Sequence, residues 1–294
     1  MKVTLKLFTV FCIIFVITAA NVYGQKTPVI TSGRVNSQGK FSFQYGRLDI
    51  SVKLPRTANG LWPALWLLGT DYGKVPWPEC GEIDLLEMGH FLGIEGGTQE
   101  KFFGAAAHWG SPLGEKDHPY YGILRANTYA LQYGAFHLLT LIRSPKKISM
   151  YLDLDKLPEE QRAHASPYFE LEISAELEKY FNKPFFLIIN LAAGGHYTGI
   201  TGKENIQKIT ALNQGNSNQA AMYIDYVRVW DEQGKLIFND EFNGTRLDAS
   251  YWNVEVNDDG GGNQELQSYR RPNVTVGRDR VSGKNCLIIT AKRE

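Results

Sequence analysis

Apolar and polar residues alternate along most of this chain, and the alternation breaks at turn residues often enough to predict short antiparallel strands throughout. Ile30–Val35 and Phe41–Leu54 alternate on either side of Ser37-Gln38-Gly39-Lys40, which predicts an antiparallel pair around that turn. Gly60–Gly69 reads as a strand with Trp62 and Trp66 on one face, and Phe102–Gly110 as another, ending in His108-Trp109. Phe136–Leu141 and Ile148–Asp153 form a pair joined through Arg143–Lys147. Phe185–Ala193 is apolar at nearly every position, the pattern of a strand buried on both faces. Ala221–Trp230 alternates strictly, and Leu236–Phe242 resumes after Asp231–Lys235, a hairpin signal. Two last strands are expected at Asn273–Val276 and Cys286–Lys292, and one helix at Ser174–Phe181, after a polar loop from Pro158 to Ser166. Lys203–Gln219 reads as loop. The class is all-β, a sandwich or barrel.

One strand breaks the pattern in an informative way. Gly81–Met88 carries Glu82, Asp84 and Glu87 among apolar residues. Glu82 and Asp84 share a face because strand side chains alternate with period two; Glu87 is out of step and rejoins them only if Leu85-Leu86 forms a one-residue bulge. Two glutamates flanking an aspartate on a groove wall supply the paired carboxylates of glycosidic bond cleavage. The plain alternative is a solvated strand face. Trp62 and Trp66 have two readings as well, sugar-stacking surface or core, and a lone histidine such as His108 is more often a structural residue than a functional one.

Charge and composition narrow the field. The 294 residues hold 31 basic and 31 acidic side chains, so nothing favours nucleic acid or an anionic membrane, and the expected partner is neutral. Residues 1–24 read as a secretory signal, with Lys2 and Lys6 ahead of an apolar run from Leu7 to Ala20 too short to span a bilayer; an uncleaved anchor is the alternative. A secreted or periplasmic protein with no membrane partner after cleavage follows. Cys12 would leave with the signal, and Cys80 and Cys286 remain as two buried thiols or one disulfide. The six histidines show no zinc spacing, and Gly260-Gly261-Gly262 lacks the lysine and helix of a phosphate loop.

Taken together, Glu82–Glu87, Trp62-Pro63-Ala64-Leu65-Trp66, His108-Trp109, Asn190–Gly195 and Tyr223–Trp230 resemble the laminarinase-like branch of glycoside hydrolase family 16. The resemblance covers nearly all of residues 25–294 and implies a single jelly-roll β-sandwich domain with a concave glucan cleft. It implies Glu82 as nucleophile, Glu87 as acid/base and Asp84 between them. It puts Trp62 and Trp66 in the stacking wall, Arg47, Asn263 and Glu265 toward the non-reducing side, and His108 beside the acid/base. His196 and Tyr197 replace the usual Asn-Trp pair after Gly-Gly, so His196 is carried only as a substrate contact by position. No cofactor is implied for catalysis. A structural calcium is implied on the convex face, with Asp225 as ligand and Glu241 and Gly283 as backbone partners; an ordinary strand aspartate is the alternative.

The segment order departs from the family's. Asp240–Gly244, Trp252, Asn263–Gln267 and Leu287–Lys292 resemble the part that usually begins the domain, yet here residues 236–294 come last. A circular permutation is inferred, with an appended module or a strand donated to another chain as the alternative. The expected activity is that of a secreted, monomeric, retaining endo-β-glucanase acting on 1,3-linkages of laminarin-type or mixed-linkage 1,3-1,4-glucans. The alternatives are a non-catalytic glucan-binding protein, a transglycosylase, or a galactanase, with neutral charge weighing against sulfated galactans.

Overall fold

A computed structural model describes residues 29–111, 119–213 and 217–294. The expected leader, residues 1–24, lies outside them. Among the described residues no helix is long and apolar enough to cross a membrane.

Two antiparallel-rich sheets pack face to face, a jelly-roll β-sandwich. The larger sheet runs Phe169–Glu172, Lys147–Leu152, His137–Ser144, Gly46–Lys53, Gln219–Trp230, Asn285–Arg293, Ile30–Ser32 and Gln267–Tyr269. Leu236–Asp240 also pairs with Gln219–Trp230, and Val274–Arg278 with Asn285–Arg293. The smaller sheet runs Asn253–Val254, Arg34–Asn36, Phe185–Ala193, Leu61–Gly69, Glu82–Met88, Phe102–His108 and Tyr120–Ala126. Alternation sends Leu48, Ile50 and Val52 of one sheet against Leu65, Leu67, Ile83 and Leu85 of the other, all in the buried core. The opposite side chains of the smaller sheet are thereby released to form a surface.

The expected first hairpin does not exist. Ile30–Ser32 joins the larger sheet, Arg34–Asn36 the smaller, and Gly46–Lys53 the larger again. Gly33 permits the crossing, because a Cβ there would lie 2.7 Å from Val274 Cγ2. Phe185–Ala193 is buried on both faces as expected, one face in the main core and Phe186 and Ile188 under Leu68 and Trp66 on the other. The edge strand Tyr120–Ala126 has no period-two pattern, most of its residues being exposed, and sequence reading misses it. The helix is shorter than expected, Glu178–Phe181, and short helices also form at Phe91–Glu95 and Glu159–Arg162. The two loops of 203–208 and 210–212 close as 3-10 turns.

The last segment is integral to the larger sheet. Asn285–Arg293 lies between Gln219–Trp230 and Ile30–Ser32, and the hairpin over Asp231–Lys235 closes with Asp231 N–H donating to Lys235 C=O at 2.9 Å. Cys80 and Cys286 are buried free thiols.

Candidate active site

The released face of the smaller sheet is a cleft whose floor is Glu82–Met88. Its register reveals the bulge: Trp66 faces Asp84 while Leu65 faces Leu86, and on the other side Asp84 faces Ala106 while Glu87 faces Gly104. Leu85 is thus the inserted residue. Leu85 and Leu86 both turn into the core, which returns Glu87 to the face of Glu82 and Asp84. Ala64 stands opposite Glu87 on the neighbouring strand.

Each acid is held. Trp62 Nε1 donates to Glu87 Oε1 at 3.0 Å, and Trp77 Nε1 to Glu82 Oε2 at 3.0 Å. His108 lies opposite Glu82, with Nε2 3.2 Å from Asp84 Oδ2 and 3.9 Å from Glu82 Oε1. Burial pushes the Glu87 carboxyl up to about 8; the Asp84 charge adds to the rise, while His108 and the Trp62 hydrogen bond oppose it. Burial likewise lifts Asp84 to about 8. Glu82 is raised by burial and by Asp84, against the pull of His108. Three carboxyls on one floor cannot all ionise together, so the site holds exchangeable protons at neutral pH. One ionised and one protonated carboxyl are what a retaining glycosidase uses.

The tryptophans form one wall. Trp66 Nε1 donates to Asn190 Oδ1 at 2.7 Å, and the Arg34 guanidinium lies 5.0 Å over its ring. The end of the cleft comes from the chain's last segment. Asn263 and Gln264 take positive φ of 51° and 58°, and Glu265 Oε2 accepts from Gln267 Nε2 at 2.6 Å, Tyr269 Oη at 3.1 Å and Gly261 N–H at 2.9 Å. Asn263 and Glu265 line the cleft.

Other expectations need correction. Arg47 belongs to the larger sheet, where it pairs with Asp49 at 2.7 Å and lies 5.5 Å over Trp230, away from the cleft. Arg34 takes the cleft position instead. His108 sits closer to the Glu82–Asp84 pair than the expected place beside Glu87, because the register sets it across from Glu82. His196 is exposed and meets the cleft loop only through its backbone, N–H to Asn263 C=O at 2.9 Å; its neighbour Tyr197 points inward and stacks on Trp62, centroids 4.9 Å apart. Tyr197, Trp77, Asn190 and Arg34 are the residues that sequence reasoning did not assign to the site.

Two of the three implied calcium ligands, Asp225 and Gly283, already face cations of the protein itself. The Lys284 ammonium occupies Asp225 Oδ2, Arg228 pairs with Glu241 at 2.6 Å, and Gly283 C=O accepts from Arg278 Nε at 2.7 Å. Asp225 Oδ2 and the Gly283 carbonyl are already spent on the protein's own cations, whereas the Arg228 pair takes the Glu241 side chain and not its backbone oxygen; a divalent ion among these groups would face like charge. Among the described residues, the grouping of three His, Cys, Asp or Glu side chains close enough to share an ion is Glu82, Asp84 and His108, whose ligand atoms lie within 4.8 Å of one another.

Comparison with known proteins settles the kinship. The sequence profile described as glycosyl hydrolases family 16 matches residues 15–169, more than half of the chain. The chain belongs to glycosyl hydrolases family 16. The chain is similar to "Glucan endo-1,3-beta-glucosidase A1" of Niallia circulans, 31% identical over 69% of this chain and 26% of that protein. It is also similar to "Beta-1,3-glucan-binding protein" of Penaeus monodon, 32% identical over 68% of this chain and 63% of that one. The chain thus spans about a quarter of the first relative and under two thirds of the second. Among solved family 16 structures, a Bacteroides ovatus mixed linkage glucan protein in complex with a G4G4G3G product is 30% identical, with TM-score 0.56, covering 69% of this chain and 80% of that one.

Proposed function

We propose that this family 16 chain is a secreted retaining endo-β-glucanase that hydrolyses 1,3-linkages in laminarin-type or mixed-linkage 1,3-1,4-glucans. The observation that carries the proposal is the bulge that aligns Glu82, Asp84 and Glu87 under an aromatic wall. Glu82 attacks the anomeric carbon while Glu87 gives its proton to the glycosidic oxygen; the C–O bond breaks, and a glycosyl ester of Glu82 forms. Glu87 then takes a proton from water, whose oxygen displaces Glu82 and restores both carboxyls. Asp84, beside His108, lies between the two glutamates, and when ionised it favours the protonated form of Glu87. Trp62 and Trp66 offer ring faces to sugars. Relatives named for 1,3-glucan cleavage and a neighbour solved with a mixed-linkage product support the two linkage classes. Residues 1–24 serve as the export signal in this reading.

The test is digestion of laminarin, lichenan, barley glucan and agarose, with the products sized. Short laminari-oligosaccharides or mixed-linkage fragments are expected, and Glu82→Gln or Glu87→Gln should lose at least about 1000-fold activity. Tight binding to one glucan with cleavage of none would favour the binding-protein reading, which the shrimp relative's name also raises. Disaccharide acceptors lengthening at the expense of hydrolysis would favour a transglycosylase.

We also propose that residues 236–294 are the family's usual first segment moved to the end by circular permutation. Two junctions support this. Glu294 N–H donates to Val29 C=O at 2.8 Å beside the antiparallel pair Ile30 with Arg293, so a tight turn could join them. The Asp231–Lys235 turn, in turn, joins two paired strands and could be opened.

A further inference from the structure

A bulge has a cost in the ladder: the inserted residue leaves backbone groups without cross-strand partners. Here two tyrosine hydroxyls, from opposite sides of the sheet, donate to backbone carbonyls at the bulge, those of Leu85 and Glu87. Tyr168, at the edge of the larger sheet, reaches through the core and donates to Leu85 C=O at 2.6 Å, its ring edge-on to Phe103 at 5.2 Å. From the cleft side Tyr197 donates to Glu87 C=O at 3.1 Å, and its hydroxyl lies against Gly104 on the neighbouring strand. Glu87 and Gly104 face each other across the ladder, so this hydroxyl spans the pair where the bulge disturbs it. Gly104 leaves the room: a Cβ there would lie 2.7 Å from the Tyr197 hydroxyl. Burial holds both phenols protonated and able to donate. The Tyr197 ring also lies flat on Trp62, 9° from parallel, and Trp62 in turn holds the Glu87 carboxyl.

We infer that Tyr197 and Tyr168 are positioning residues that clamp the bulge from both faces and so aim Glu87 at the glycosidic oxygen. The inference rests on the proposed role of Glu87 as acid/base. Neither hydroxyl acts on the substrate; both act through the backbone of the residue that does. A carboxyl displaced by a fraction of an ångström loses proton donation before it loses sugar binding.

The test compares two substrates in the full chain. With a laminari-oligosaccharide, whose leaving group needs a proton, Tyr197→Phe should lower kcat/KM about 10- to 100-fold. With a 2,4-dinitrophenyl β-laminaribioside, whose leaving group departs without one, kcat/KM should stay within about threefold of wild type. Tyr168→Phe should show the same split, and Gly104→Ala, which displaces the Tyr197 hydroxyl, should copy it. An equal fall on both substrates, or no fall on either in a folded Tyr197→Phe protein, overturns the clamp. Should Tyr168→Phe fail to fold, Tyr197→Phe decides. A wild-type protein inactive on both substrates overturns instead the glucanase reading, an outcome visible before any variant is made.

Discussion

At the scale of single residues, the site is a set of carboxyls whose protons are set by named neighbours. Glu87 is raised from 4.5 to about 8, so donation should persist to mildly alkaline pH and fail as pH rises through that value. Asp84→Asn removes a charge that raises Glu87 and should move the basic limb of the kcat/KM profile to lower pH. Trp62→Phe removes a hydrogen bond that lowers Glu87 and should move the limb to higher pH. The same shift has a stability consequence. A carboxyl raised in the folded state contributes stability fully below its unfolded value near 4.5, and loses it as pH climbs toward about 8. Glu87→Gln, which cannot ionise, should therefore melt a few degrees above wild type at pH 8, with the advantage vanishing near pH 5, as thermal scans at the two pH values would show.

Between elements, the bulge was legible because parity is arithmetic: Glu82, Asp84 and Glu87 share a face only with one extra residue, and doubled leucines suit a core-facing insertion. The same arithmetic predicts what deleting Leu85 would do. The shortened strand keeps the three acids on one face, but the Tyr168 acceptor is gone and Glu87 shifts relative to Tyr197. The variant is expected to retain a secondary-structure spectrum like wild type and some activity, at least about tenfold below it. Assignments across elements were less readable. Gly33-Arg34 and Gly46-Arg47 look alike as strand openings, and only the crossing at Gly33 sends one arginine to the cleft and the other to the far sheet. His196 and Tyr197 follow Gly194 and Gly195, whose φ values of 72° and 93° turn the chain, so the inward residue cannot be chosen by alternation. Nor does spacing reveal that Lys284 folds back onto Asp225.

For the whole molecule, the all-β class and the hairpins after Ser144 and over Asp231–Lys235 follow from local patterns, whereas the crossing at Gly33 and the exposed edge strand Tyr120–Ala126 have none to read. The permutation makes its own prediction. A chain starting at Lys235, passing from Glu294 through a two-residue turn to Val29 and ending at Asp231 should fold, with circular dichroism and glucan products matching wild type. An unfolded product would argue that residues 236–294 are not interchangeable with a leading segment. One further consequence comes from the pairing of Ile30–Ser32 with both Gln267–Tyr269 and Asn285–Arg293. The acids emerge early from the ribosome, but the strand that begins the sandwich waits for partners made more than 230 residues later. Such distant pairings slow folding, so the growing chain stays open until its last strands exist, and a translation product stopped near residue 235 would carry all three acids with no end wall to its cleft.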